Sequence, residues 1–232
     1  MTSPTRLAFH WSGGKDSAHA LGRLLADDRH AVRCLVTTVD AATGASTVHG
    51  IPPWLLEAQA DAIGLPLHTV RLRDPGLADY REAMTAHATT LRDEGIEAVG
   101  FGDLHRSGAR RHHEALFTPL GLEVVEPLWQ MTSHECVAAF LASGIEARII
   151  VVDADVLGRE HVGAVLDREL VDALPDGCDP CGELGEYHTV VTDAPYFRGP
   201  VPLPQAPVEH VVRRVGTSAG VREFRYWTWS LP

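Results

Sequence analysis

One stretch near the N-terminus constrains the fold of this chain more than any other. Leu7-Ala8-Phe9-His10-Trp11 reads as a short buried strand and runs straight into Ser12-Gly13-Gly14-Lys15-Asp16-Ser17. Ala18 to Leu25 then has helical spacing, with Leu21, Leu24 and Leu25 on one face. A strand, a Gly-rich turn and a helix in that order aim several backbone N–H groups at one point. The helix N-terminus there attracts anions by geometry and by dipole. Gly13 and Gly14 permit a tight turn and close approach by a phosphate. Lys15 adds a compact positive charge, and Ser12 and Ser17 can donate hydroxyl hydrogen bonds. No glycine stands five residues before Gly14, so the loop is not a Walker A loop and does not announce γ-phosphoryl transfer.

The same alternation continues along the chain. Val32 to Thr38 reads as a β-branched strand, Pro52-Pro53 opens a helix through Ala62 that stops at Gly64, and Leu67 to Leu72 reads as a third strand. Ala78 to Arg92 is a helix ended at Gly95, Glu97 to Phe101 a strand, Arg110 to Leu116 a helix and Glu123 to Val125 a fifth strand. Strands alternating with helices of about 10–15 residues imply βαβ units and an open, doubly wound parallel five-stranded sheet.

Beyond Pro127 the rhythm changes. A helix (Ser133 to Ala142), a strand (Ala147 to Val152) and a helix (Arg159 to Leu174) lead into a Gly/Cys/Glu-rich segment, Asp176 to Glu186. Three strands follow: Tyr187 to Thr192, Val208 to Val215 and Val221 to Trp229, with a Pro-rich connector from Pro195 to Pro207 after the first. The chain therefore divides into a nucleotide-binding domain over 1–127 and a smaller α+β substrate domain over 128–232.

Charge and hydropathy narrow the partners. Lys and Arg total 20 against 31 Asp and Glu, a formal net charge of −11, and no basic run is longer than Arg110-Arg111. That argues against stable binding to nucleic acid, which needs a basic footprint. No apolar run approaches the ~18 residues of a membrane span, and the apolar patch in Met1 to Trp11 is too short for a secretory signal of about 7–15 apolar residues. A cytoplasmic protein is expected, with homo-oligomerisation left open.

Further candidate site residues lie at the ends of strands and in the Gly-bracketed loop. Gly100 and Gly102 flank Phe101 where backbone would approach a ligand, and Asp103 just beyond could bind Mg²⁺, bind a ribose hydroxyl or cap a helix. Glu183 and Glu186, three apart and held by glycines, could bind a cationic group, orient ammonium or take a proton. His188 is read as a strand residue in preference to a proton shuttle, and Trp129 as core or as a cleft wall with a cation–π face.

The string SGGKDS in the first βα turn resembles the PP-loop ATP pyrophosphatase superfamily, of the adenine nucleotide alpha hydrolase-like fold. The resemblance implies that Ser12 to Ser17 hold the pyrophosphate end of ATP and that adenine lies near Val36 and Thr37. Asp16 would support either Mg²⁺ or the geometry of the loop. Two more segments are similar to the diphthine–ammonia ligase family: Gly100-Phe101-Gly102-Asp103-Leu104, followed by Arg111, Glu114 and Pro127-Leu128-Trp129, and then Cys181-Gly182-Glu183-Leu184-Gly185-Glu186-Tyr187-His188-Thr189. Over Leu7 to Phe197 the three motifs occur in the family's order. The likeness implies ATP and Mg²⁺ as cofactors, adenylation of a small-molecule or protein-bound carboxylate with loss of pyrophosphate, and amide formation with ammonium as AMP leaves. Diphthine would be the substrate where an elongation factor 2 is present. Lys15, Glu183 and Glu186 would be catalytic. Leu184 departs from the family, whose eukaryotic members often carry a small residue there, and their long extra domains are absent.

There are four cysteines, Cys34, Cys136, Cys178 and Cys181, expected as reduced thiols. Cys178 and Cys181 have C-x-x-C spacing, but a zinc site would need two more ligands, and Cys136 and a histidine could supply them only through the tertiary fold. No metal ligand set is assigned, and two ordinary cysteines bracketing a turn is the preferred reading. Two other functions stay open: a tRNA-thiolating PP-loop enzyme using Cys178 and Cys181, and a non-catalytic ATP-binding sensor.

Overall fold

The computed structural model describes residues 3–47, 49–74, 77–104, 108–217 and 220–232. Five parallel strands form the first sheet: β1 (Thr5–His10), β2 (His30–Asp40), β3 (Leu67–Leu72), β4 (Ala98–Gly100) and β5 (Glu123–Val125), in the order β3-β2-β1-β4-β5. The helices α1 (Lys15–Leu25), α2 (Pro53–Ile63), α3 (Leu77–Asp93) and α4 (Ala109–Phe117) connect them. Successive residues of β1 point to opposite faces, and the core divides accordingly. Leu7 and Phe9 pack with Leu21, Leu24, Leu55 and Leu56 of α1 and α2, while Ala8 packs with Met84, Leu91 and Phe117 of α3 and α4. Strand order reverses between β1 and β4, which places a crevice at the C-terminal ends of these two strands, where open α/β sheets bind ligands.

A second, antiparallel sheet follows α5 (Ser133–Ala142), whose Thr132 N-cap and Glu135 form a capping box. Its strands are β6 (Glu146–Asp153), β7 (Tyr187–Asp193), β8 (Val208–Thr217) and β9 (Gly220–Trp229), in the order β7-β6-β9-β8. The expected helix from Arg159 to Leu174 does not form. Gly163 adopts φ 88°, and residues 163–166 turn onto the edge of β6 through bonds such as Gly163 N–H to Ile149 O (2.8 Å) and Leu166 N–H to Ala147 O (2.8 Å). A single 3-10 turn (Arg159–His161) and α6 (Arg168–Asp172) are what is helical of that span, the latter started by Asp167, whose side chain accepts from Leu170 N. Buried Leu166 shows what decided the outcome: pairing with the sheet outweighed a helical pattern interrupted by glycine.

The two sheets share one apolar core, since Ile149, Val190 and Val191 join the cluster around Leu7 and Phe9. The Pro-rich connector completes the union. Tyr196 donates its hydroxyl to Ala18 O at 2.8 Å, and Arg198 N–H reaches Ala62 O at 2.7 Å. No helix among the described residues is long and apolar enough to cross a membrane.

Candidate functional site

The Ser12–Ser17 loop leaves β1 at the crevice, and much of it is organised by its own atoms. Ser12 donates to the Ser17 hydroxyl at 3.0 Å, and Ser17 donates to Gly14 O at 2.9 Å. Both hydroxyls expected to reach an anion are thus spent on shaping the turn. Gly13 needs its φ of 82°, and a Cβ there would come within 2.7 Å of Ile51. Gly14, the N-cap of α1, brings no capping side chain, so the amides of Asp16 and Ser17 head the helix toward the crevice.

The second sheet holds this loop from behind. Lys15 N–H donates to Thr189 Oγ1 at 3.0 Å, and Val191 N–H donates to Gly13 O at 2.9 Å. Gln59 joins the same seam, donating to Gly13 O and Val191 O while accepting from the Trp11 indole. Lys15 itself is buried. Its Nζ donates to Asp16 Oδ2 at 2.7 Å and to Cys181 O at 2.5 Å, and lies 5.4 Å from the Tyr187 ring. Burial alone would lower the Lys15 pKa, but Asp16, with Tyr187 and Cys181, outweighs it and keeps the ammonium charged.

The two glutamates of the Gly-bracketed loop part company. Glu186 turns inward, where Oε1 accepts from Asp179 N at 2.8 Å and Oε2 from Leu184 N at 2.9 Å. It closes the 179–186 loop on itself and is a loop-organising residue. Glu183 stays half-buried, and its carboxyl is pushed up to about 7, first by burial and then by the charge of Asp16, with Lys15 opposing. Lys15 and Glu183 are brought together; Glu186 is not among the groups facing them.

Across the switch point, Gly100 and Gly102 serve packing. A Cβ on Gly100 would come within 2.8 Å of Phe9, and one on Gly102 within 2.8 Å of Asp16 O, Ser17 Cα and Ser17 N. Gly102 therefore lets β4's extension touch the first turn of α1. Phe101 is buried and stacks between His10 and His113, at centroid distances of 4.2 and 3.7 Å. Asp103 is half-buried, raised above its usual pKa by burial and by the charges of Glu126 and Asp16 against the pull of His113. Val36 and Thr37 lie within β2 and are buried, because the strand runs on to Asp40. Val36 O accepts Trp11 N–H, so its backbone still borders the crevice floor. His188 is lowered to about 3 by burial, then by His49 and Lys15, and its ring lies 4.8 Å from that of His49. Trp129 is half-buried with the Arg110 guanidinium 5.8 Å from its ring centroid, so the chain supplies its own cation on that face.

The C-x-x-C pair is split. Cys178 is half-buried with Sγ 3.8 Å from Asp179 O. Cys181 is buried and faces Asp16 and Cys136, and Cys136 Sγ lies 3.8 Å from His19 Nδ1. Sequence reasoning names Cys136 and an unspecified histidine only as a possible completion through the tertiary fold; the fold brings Cys136 on α5 and His19 on α1 to one corner, and His19 itself is not singled out by the sequence.

A parallel sheet with SGGKDS after its central strand, and an acidic loop from a second sheet over the lysine, defines a nucleotide-binding α/β protein of the PP-loop kind. Comparison with known proteins takes the class further. Residues 5–124 match the family model of the diphthamide synthase N-terminal domain, and residues 133–209 that of the diphthamide synthase C-terminal domain. The chain belongs to the diphthamide synthase family. It is similar to the diphthine–ammonia ligase of Rattus norvegicus, 28% identical over 216 residues that cover 83% of this chain and 80% of the rat protein. The human diphthine–ammonia ligase is 26% identical over the same shares, while that of Schizosaccharomyces pombe is 34% identical over 107 residues, 44% of this chain and 18% of the yeast protein. Among solved structures, a predicted subunit of tRNA methyltransferase from Methanocaldococcus jannaschii aligns at TM-score 0.42 and 14% identity, covering 84% of this chain and 99% of that one.

Proposed function

We propose that the protein is an ATP-dependent ligase that adenylates a carboxylate and converts it to an amide with ammonia. The observation that carries this reading is the bond from Lys15 Nζ to Cys181 O, together with that from Lys15 N to Thr189 Oγ1. The motif that sets the ligase family apart is thereby built into the phosphate loop, with Glu183 at its rim.

An ammonium has three N–H donors, and Lys15 commits two of them to Asp16 and Cys181 O. The third is left for a phosphate oxygen, beside the first-turn amides of Asp16 and Ser17. The substrate carboxylate attacks the α-phosphorus, the bond to the bridging oxygen breaks, and pyrophosphate leaves against Lys15. Nitrogen then bonds to the acyl carbon and AMP departs with the former carboxylate oxygen. The incoming nitrogen must shed a proton, and Glu183, poised near neutral pH, accepts it. Crowded negative charge around Asp103 suits a cation, and Asp103 would hold Mg²⁺, which neutralises phosphate charge when bound. Glu186 acts only by holding the loop that presents Glu183.

The substrate class follows from the relatives: diphthine where an elongation factor carrying it exists, otherwise a smaller carboxylate, with free ammonium as donor. We place the enzyme in the cytoplasm, and the division between nucleotide and substrate domains near Pro127. The divergence of Cys178 from Cys181 speaks against a thiolation centre built on that pair. Incubating protein, ATP, Mg²⁺ and ammonium with candidate carboxylates, and resolving the products, tests the reading. Carboxylate-dependent AMP and pyrophosphate support it; ADP and phosphate overturn it, as does a Lys15→Ala protein with full turnover.

A further inference from the structure

We propose that Cys136, Cys181 and Asp16 form a binding site for one thiophilic divalent cation of the zinc class, with His19 as the neighbouring fourth donor. The inference is independent of the ligase reading. Three segments far apart in sequence converge here: the first turn of α1, the first turn of α5 and the 179–186 loop. One ligand atom from each of Asp16, Cys136 and Cys181 lies within 4.8 Å of the others. In a tetrahedral zinc site the donor atoms sit roughly 3.3–3.8 Å apart, given metal–ligand distances of about 2.0–2.3 Å. A closure of about 1 Å, within reach of side-chain torsions, converts the present cluster into that geometry.

Asp16 and His19 are three apart on α1, so they share one helix face, and His19 Nδ1 stands 3.8 Å from Cys136 Sγ. A ligating imidazole beside a thiol is the separation expected of two donors on one metal. Both thiols are free and buried, at 1% and 2% exposure. Both belong to the apolar core cluster, yet each also meets polar groups. Lys15, Asp16, His19 and the Ser133 carbonyl, which accepts Cys181 S–H at 3.1 Å, are polar or charged. Two sulfurs, a carboxylate and an imidazole disfavour Mg²⁺ and Ca²⁺ and suit Zn²⁺ or Co²⁺. Binding replaces the thiol protons, which leave to solvent. Cys178, despite its C-x-x-C spacing, takes no part, because its sulfur faces Asp179 O.

Titration of the full chain, reduced and stripped of metal, with Co²⁺ and separately with Zn²⁺ tests the site. Saturation is expected at one equivalent, with a thiolate-to-cobalt charge-transfer band in the near ultraviolet. One equivalent of Zn²⁺ should protect two of the four thiols from a thiol reagent. The band should vanish in Cys136→Ser and in Cys181→Ser while persisting in Cys178→Ser, with circular dichroism matched to the parent. A wild-type protein that shows no charge-transfer band overturns the proposal without recourse to any variant. So does a band that survives in Cys136→Ser, or one that is lost from a folded Cys178→Ser protein, which would place the metal on the C-x-x-C pair.

Discussion

Thr189, on the second sheet, accepts the backbone N–H of Lys15 at 3.0 Å, and both residues are buried. The phosphate loop of the first sheet is thus completed by a residue 174 positions away. Replacing Thr189 by Val keeps the shape and leaves a buried donor without a partner, at a cost of about 1–3 kcal/mol. Chemical denaturation should show that loss, and turnover should fall with it as Lys15 loses its anchor. Thr189→Ser should recover most of both, since it restores the acceptor.

Gly102 offers a steric test of the same corner. A Cβ there would lie 2.8 Å from backbone atoms of Asp16 and Ser17, which cannot rotate away. Gly102→Ala should destabilise by about 1–3 kcal/mol and depress ATP binding, measured by thermal shift with and without nucleotide. Gly199, with open space around it, provides the control: Gly199→Ala should change neither.

Glu183 and Glu186 should separate chemistry from structure. Glu183→Gln is expected to lower turnover by roughly 100- to 10,000-fold with little loss of stability, as removal of a proton acceptor does. Glu186→Gln turns an amide NH₂ toward one of two backbone donors it now accepts from, those of Asp179 and Leu184. Its expected signature is a stability loss of about 1–3 kcal/mol. Paired denaturation and kinetics on the two variants check the division of labour.

The pH dependence has a defined sign. Burial, then Asp16, raises the Glu183 carboxyl to about 7, whereas an unfolded glutamate titrates near ~4.3. Between those values the folded protein holds a proton that the unfolded chain has lost. Glu183 therefore contributes a stability that is complete below ~4.3 and is lost as pH rises through about 7. His188, lowered to about 3 by burial and by His49, works the other way below ~6.5, so the comparison is wild type minus Glu183→Gln. That difference should fall across the window, and turnover should rise through it with the ionising carboxyl, a rise that Glu183→Gln should lack.

The first sheet was legible because its signals are local. Leu7 and Phe9 alternate with Ala8, and Gly64 and Gly95, both at positive φ, mark the stops of α2 and α3. The helix from Ser133 to Ala142 and the strands from Val208 and Val221 were also legible, and the structure starts that helix with a capping box and pairs the two strands. The helix expected from Arg159 failed because residues 163–166 pair with β6, a tertiary contact whose one local trace is Gly163. The site shows the same divide. Lys15 could be read from its glycines, but Glu183 and Glu186 look equivalent in sequence, and only the fold turns Glu186 onto its own loop. The C-x-x-C spacing could not show which of its cysteines meets Cys136: the cluster of Asp16, Cys136 and Cys181 joins three separate segments.

The central claim is that a carboxylate oxygen is transferred to the α-phosphate at the Lys15 loop. Turnover of a carboxylate labelled with heavy oxygen, followed by mass spectrometry of the released AMP, measures that transfer. The account predicts one labelled oxygen in AMP for each amide formed, and none with Lys15→Ala. Unlabelled AMP accompanying amide formation, or label appearing in inorganic phosphate beside ADP, would contradict it.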